Sequence, residues 1–174
     1  MDSIIESFIS TQKNMTLCTS VNDTPECANC FYAFMPNGAN LIFKSKKTTG
    51  HVSHALVNNK VAGTILPDIS KIGSIKGIQF SGTFLTPQDD MLEQAKKIYY
   101  SKFPLALGIS GDLWLIKLTY IKMTDNTLGF GKKLLWENKN CFKKSFILLL
   151  HFHKTKHQDK YKLNSYRHKH YQPS

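Results

Sequence analysis

The sequence predicts a mainly β protein: an antiparallel, Greek-key-like barrel, closed or split, with about three covering helices. Three observations point there. Short runs of alternating apolar and polar residues recur between turn-forming residues. Helical stretches interrupt them in the order α-βββ-α-ββ-α-ββ, which lacks the strict βα alternation of a doubly wound sheet. Glycines inside the longest strand supply points where a sheet can curl closed.

The elements follow in order. Residues 2–13 read as a helix, with Ile4, Ile5, Phe8 and Ile9 on one face. MTLCTSV (15–21) and CANCFYAFM (27–35) read as strands separated by Asn22-Asp23-Thr24-Pro25, a turn. Pro36-Asn37-Gly38 makes the next tight turn, with Gly38 taking positive φ, before LIFK (41–44) completes a three-stranded meander. Thr48 or Thr49 caps a short helix, GHVSHALVNN, that buries Val52, Ala55 and Leu56. KVAGTIL (60–66) and SIKGIQFSGTFLT (74–86) are strands, with bulges or bends at Gly77 and Gly82. Pro87 to Asp90 opens a helix that stops before Pro104. DLWLIKLTYIKMT (112–124) and LGFGKKLLW (128–136) are the last two strands, and Gly129-Phe130-Gly131 reads as part of their hairpin.

Charge divides the chain. Of the net charge of +11, residues 1–136 carry +4 and residues 137–174 carry +7, together with five of the seven histidines and the only arginine, Arg167. The expected organisation is a domain over 1–136 and a flexible basic His/Lys-rich tail over 137–174. Any contact with nucleic acid or an anionic surface falls to that tail. The FILLL run at Phe146–Leu150 is far short of the ~20 apolar residues of a spanning helix, so no membrane association is expected. The acidic N-terminus, with Asp2 and Glu6, is unlike a signal peptide, and the expected location is cytoplasmic.

Chemistry-bearing motifs are few. Cys27 and Cys30 form one CxxC inside a strand, without the second pair a zinc ribbon needs; these are structural cysteines or, less simply, a metal or redox pair. No metal site is expected. No nucleophile motif, dinucleotide loop or carboxylate pair is present, so catalytic residues are unassigned. Lys44-Ser45-Lys46-Lys47-Thr48-Thr49-Gly50-His51 gathers ammoniums, hydroxyls and a helix start. That is the chemistry of a phosphate site, or else a solvated Lys-rich turn with a Thr cap. Gln79 and Asn29 are strand amides that either fill a backbone gap or face a ligand.

CANCFYAF, KVAGTI, IKGIQFSGTF, AKKIYYSKFPLA and IKMTDNTLGFGKKLLW together resemble the YhbP-like family of the pyridoxamine 5′-phosphate oxidase-like, FMN-binding split-barrel superfamily, in register over about residues 2–136. The resemblance implies a homodimer with FMN at the subunit interface. It places Thr49 and His51 on the superfamily's phosphate motif, with His51 in place of a lysine, and Ser45, Lys46 and Thr48 adjacent. It puts Gln79 near the isoalloxazine edge and Asn29 beside the ring pocket. Phe31, Phe43 and Phe80 are then walls of a flavin slot or plain core. Residues 1–136 hold no arginine, which implies a modest FMN affinity, and the arginine-rich substrate motif of pyridoxine-phosphate oxidation is missing. The implied function is an FMN-dependent oxidoreductase of unknown substrate. The alternative is a non-catalytic flavin- or haem-binding module.

Overall fold

The computed structural model describes residues 1–69, 75–128 and 132–139, and the fold is that of the unit Met1–Glu137. Its strands are β1 (Asn14–Val21), β2 (Thr24–Met35), β3 (Asn40–Ser45), β4 (Lys60–Ile65), β5 (Lys76–Leu85), β6 (Asp112–Asp125) and β7 (Lys133–Glu137). The helices are α1 (Ser3–Thr11), α2 (Gly50–Val57) and α3 (Asp89–Lys102), with 3-10 turns at Pro104–Gly108 and Asn126–Leu128. The sheet runs β3-β2-β1-β4-β5-β6, all antiparallel, and closes because β3 also pairs with β6; β7 hangs on the free stretch of β6. This is the mainly β barrel with three covering helices that the strand order predicts.

Turn chemistry fixes the registers. Asn22 and Asp23 both take positive φ (49° and 61°) between paired Val21 and Thr24, the two-residue turn whose twist matches a hairpin. Gly38 takes φ +85° as expected. A bulge falls between Ser81 and Gly82, where β6 carries the extra residue Thr119, whose hydroxyl donates to the Ser81 carbonyl at 3.1 Å. The bulge re-phases β6: Trp114, Ile116 and Leu118 point inward before it, Ile121 and Met123 after it. Gly82 lies against Ile116 and the Lys117 carbonyl, so a side chain there would collide. No register shift marks Gly77, so the β5–β6 ladder carries no bulge there.

Two apolar layers form. The barrel interior holds Leu17, Tyr32, Phe43, Phe80 and Ile116, and it receives Ile5, Phe8 and Ile9 of α1 and Val52 and Ala55 of α2. The second layer packs Ala95 and Tyr99 of α3 on the outward faces of Ala33, Ile42 and Leu115. Ile4 and Leu56, expected on the buried faces of their helices, are exposed because α1 and α2 each dock along a narrower stripe. The α1 ends are held by side chains. Asp2 accepts from the Ile4 N–H at 2.8 Å, and Lys102 donates to the carbonyls of Ser10 (3.1 Å) and Gln12 (2.6 Å).

The last strand starts later than the sequence predicts. The buried Asp125 carboxylate accepts from the Thr127 N–H (2.9 Å) and hydroxyl (2.6 Å) and pairs with Lys76 at 2.8 Å. These bonds wind Asn126–Leu128 into a 3-10 turn, so Leu128 is not in β7. Gly129-Phe130-Gly131 and the expected tail from residue 140 onward lie outside the described residues. Among the described residues, no helix is long and apolar enough to cross a membrane.

Candidate functional site

β3 ends at Ser45, the chain loops outward through Lys46, Lys47 and Thr48, and α2 begins at Gly50. This short return folds three polar side chains onto one another. Ser45 Oγ lies 2.9 Å from Nε2 of His51 and 3.1 Å from Oγ1 of Thr49, and Thr49 Oγ1 lies 3.4 Å from the same Nε2. The Ser45 carbonyl accepts from the Trp114 indole at 3.0 Å, which pins the strand end beneath the cluster. Thr49 occupies the N-cap position of α2 but makes no side-chain cap bond; its hydroxyl donates to the Lys46 carbonyl at 2.8 Å. The first N–H groups of α2 therefore have no side-chain cap from Thr49.

The cluster borders a cleft of about 520 Å³, which Ser45 and His51 line together with Asn29, Phe31 and Lys44. Phe103, Leu105 and Ile109, at the end of α3 and in the turn that follows, form its opposite wall. Phe31 is 57% exposed and meets Phe103 with ring centroids 5.6 Å apart. Leu105 is 90% and Ile109 62% exposed, so the rim presents apolar surface to solvent. Lys44 Nζ donates to the Ala106 carbonyl (2.8 Å) and the Tyr100 hydroxyl (3.1 Å), tying the two walls together with a positive charge.

Electrostatics at this corner pull in two directions. Burial pushes the His51 pKa down, and the Glu26 carboxylate acts against that. Glu26 packs on Gly50, where any Cβ would collide with it, and reaches to 3.7 Å from Nδ1 of His54. A negative side chain thus already sits at the start of α2, where the helix dipole favours one. Burial lifts the Cys30 thiol, another lining group, to about 11.

The structure brings Ser45, Thr49 and His51 together, and Asn29 lines the same cleft as Ser45 and His51. Asn29 is exposed on the outer face of β2, its Oδ1 accepting from Thr16 at 2.9 Å, and it also borders a second cleft of about 360 Å³ with Thr64 and Asp68. Lys46 and Thr48 are exposed on the loop. Gln79 stands apart. It is exposed on the same cross-strand row as Asn29, through Thr16 and Thr64, three strand spacings or roughly 14 Å away. Its neighbours Ile78 and Phe80 point inward, and the apolar run around it is a one-sided strand. Phe43 and Phe80 are core, 0% and 3% exposed, so Phe31 alone of the three expected phenylalanines is a wall. Sequence reasoning missed Phe103, Leu105 and Ile109. Their signal was an apolar PLALGI stretch directly after a helix stop, with no strand period to bury it. Cys27 and Cys30 lie on opposite faces of β2, one exposed and one buried, which excludes them as a pair. No group of three or more metal-ligating side chains occurs among the described residues.

No family model matches this chain. Over 134 residues, 77% of this chain and 94% of the relative, it is 40% identical to a UPF0306 protein of Photorhabdus laumondii. Over 133 residues, 76% and 90%, it is 40% identical to a UPF0306 protein of Yersinia pseudotuberculosis. Among solved structures it is similar to a heme binding protein from Mycobacterium smegmatis (TM-score 0.66, 14% identity, 79% of this chain but only 59% of that one). It is also similar to an FAD binding protein from the same organism (0.60, 16%, covering 72% and 94%). A third is a general stress protein 26-related protein of the pyridoxinephosphate oxidase family from Clostridium acetobutylicum (0.57, 12%, covering 79% and 94%). At these identities the structural likeness carries the fold alone.

Proposed function

The chain belongs to the UPF0306 family and has the split-barrel fold, and we propose that it binds flavin mononucleotide, at the interface of a homodimer, as an FMN-dependent oxidoreductase. The narrower assignment to YhbP-like proteins rests on the sequence resemblance. One observation carries the flavin reading: Ser45, Thr49 and His51 converge within 2.9–3.4 Å at the start of α2, beside a cleft with an apolar wall. Similar solved structures include proteins described as binding FAD or heme.

The residues fit the group. Two hydroxyls, an imidazole and the uncapped start of α2 offer hydrogen bonds to a phosphate, and Lys44 with the exposed Lys46 supplies positive charge. The cleft volume lies within the usual range for a small-molecule site, about 300–1,000 Å³. When bound, the flavin would supply hydride or electron transfer, which accords with a cleft that no Asp or Glu lines among the described residues. Ser45 and Thr49 would hold the phosphate, and His51, whose pKa burial pushes down, would donate to it more readily as the phosphate charge offsets that burial. Phe31 and Phe103, whose rings meet at the cleft, would shield the flavin ring from water, and the Asn29 amide would offer it a polar edge. The exposed apolar rim at Leu105 and Ile109 supports burial against a second copy.

Titration of the full-length protein with FMN, followed by flavin fluorescence and by sedimentation, tests this reading. Saturable binding by a dimer that is lost in the Ser45→Ala, Thr49→Val variant supports it. Absence of binding removes it. Binding that survives the double substitution moves the phosphate elsewhere. Oxidation of a reduced nicotinamide by the loaded protein then separates an enzyme from a carrier.

A further inference from the structure

Cys27 has a partner, but across the hairpin and not along the strand. It lies directly opposite Cys18 in the β1–β2 ladder, and both point to the outer face, Cys27 exposed and Cys18 partly so. The class of this position follows from a proline. Pro25 has no N–H and stands opposite Ser20, so Ser20–Pro25 is a non-hydrogen-bonded pair. Classes alternate along an antiparallel ladder, which makes Cys18–Cys27, two residues further on, non-hydrogen-bonded as well. At such positions Cα atoms approach to about 4.5 Å and side chains come closest. A disulfide needs Cα atoms roughly 4.4–6.8 Å apart and Cβ atoms roughly 3.5–4.5 Å apart, close to the ordinary spacing of such a pair. The two-residue turn at Asn22-Asp23 prevents the register from slipping.

We propose that Cys18 and Cys27 are a redox-active dithiol that closes to an intramolecular disulfide on exposure to hydrogen peroxide. Exposed Cys27 meets the oxidant first. Its thiolate attacks one peroxide oxygen; the S–O bond forms, the O–O bond breaks, and the departing hydroxide takes a proton to become water. Cys18 then gives up its proton and attacks the Cys27 sulfur. The S–S bond forms, the S–O bond breaks, and a second water leaves. Two thiols and one peroxide give one disulfide and two waters. Cys18 waits protonated until that step, its pKa pushed up to about 11 by burial and by the adjoining Cys27. It borders a surface cleft of about 410 Å³ that Lys60 also lines, which leaves a path for peroxide and for a reducing thiol. The pair stands one same-face step, roughly 7 Å, from Thr16–Asn29. Its chemistry needs no flavin, so it stands or falls separately from the function proposed above.

The test uses the reduced full-length protein, treated with a small excess of hydrogen peroxide, alkylated, and cleaved after Glu26, which separates Cys18 from Cys27. The four thiols of the chain fall to two, and the two peptides stay joined, lighter by two hydrogens, until a reductant parts them. The same link forms in the Cys30→Ala variant, and Cys18→Ser leaves Cys27 as an acid that a sulfenate-trapping reagent captures. An unchanged thiol count, Cys27 oxidised singly with Cys18 still alkylatable, or a link through Cys30 or to a second chain would overturn the proposal.

Discussion

The starts of α1 and α2 differ in how their polar groups are used. Asp2 caps α1 with its own carboxylate, and the far end of that helix is closed by Lys102, so α1 serves to plug the barrel with Ile5, Phe8 and Ile9. Thr49 stands at the same position of α2, yet its hydroxyl turns away to Ser45, His51 and the Lys46 carbonyl. A helix that only packs satisfies its own terminus. One whose cap residue looks sideways leaves donors for something else.

Substitutions at the two ends should therefore separate stability from binding. Ile9→Ala, in the plug, is expected to cost about 2–5 kcal/mol in denaturant unfolding while the folded fraction keeps its flavin affinity. Thr49→Val should reverse this pattern, with FMN affinity falling about tenfold to a hundredfold and little change in stability. Asp2→Ala supplies the counterpart at α1: about 1 kcal/mol of stability and no change in affinity. If both cap variants behave alike in both assays, the contrast between the helices is unfounded.

Proton linkage gives a smaller effect. Burial lowers the His51 pKa in the folded chain, so its contribution to stability is whole above the unfolded imidazole value of 6.5 and is lost as pH falls through the lower folded value. A phosphate beside Nε2 favours the imidazolium, so FMN affinity should rise several-fold from pH 8 to pH 6, and His51→Gln should flatten that slope in a calorimetric series. Smaller still is the effect of Glu26. Removing its charge from the start of α2 in Glu26→Gln should strengthen FMN binding by about twofold to fivefold. A weakening would show that the carboxylate supports the site.

Much of the barrel was legible because its signals are local. The Asn22-Asp23 turn, Gly38 and the alternation in β6 each declare themselves within a few residues. The Ser45–His51 cluster was legible for the same reason, since its donors lie within seven residues. What failed depends on contacts distant in sequence. Phe31 and Phe43 look alike until strand parity and the position of α3 decide which is buried. The Cys27–Cys30 spacing drew attention along the strand, whereas register places Cys27 opposite Cys18. The apolar wall at Phe103–Ile109 carries no period, because its side chains face outward from a turn. The late start of β7 depends on Lys76 of β5 meeting Asp125.

The direct test of the central claim compares FMN with riboflavin, which lacks only the phosphate, in matched titrations of the wild-type protein. If Ser45, Thr49 and His51 hold that group through charge-assisted hydrogen bonds, FMN binds about a hundredfold more tightly. Equal affinities would mean that this corner of the barrel grips no phosphate.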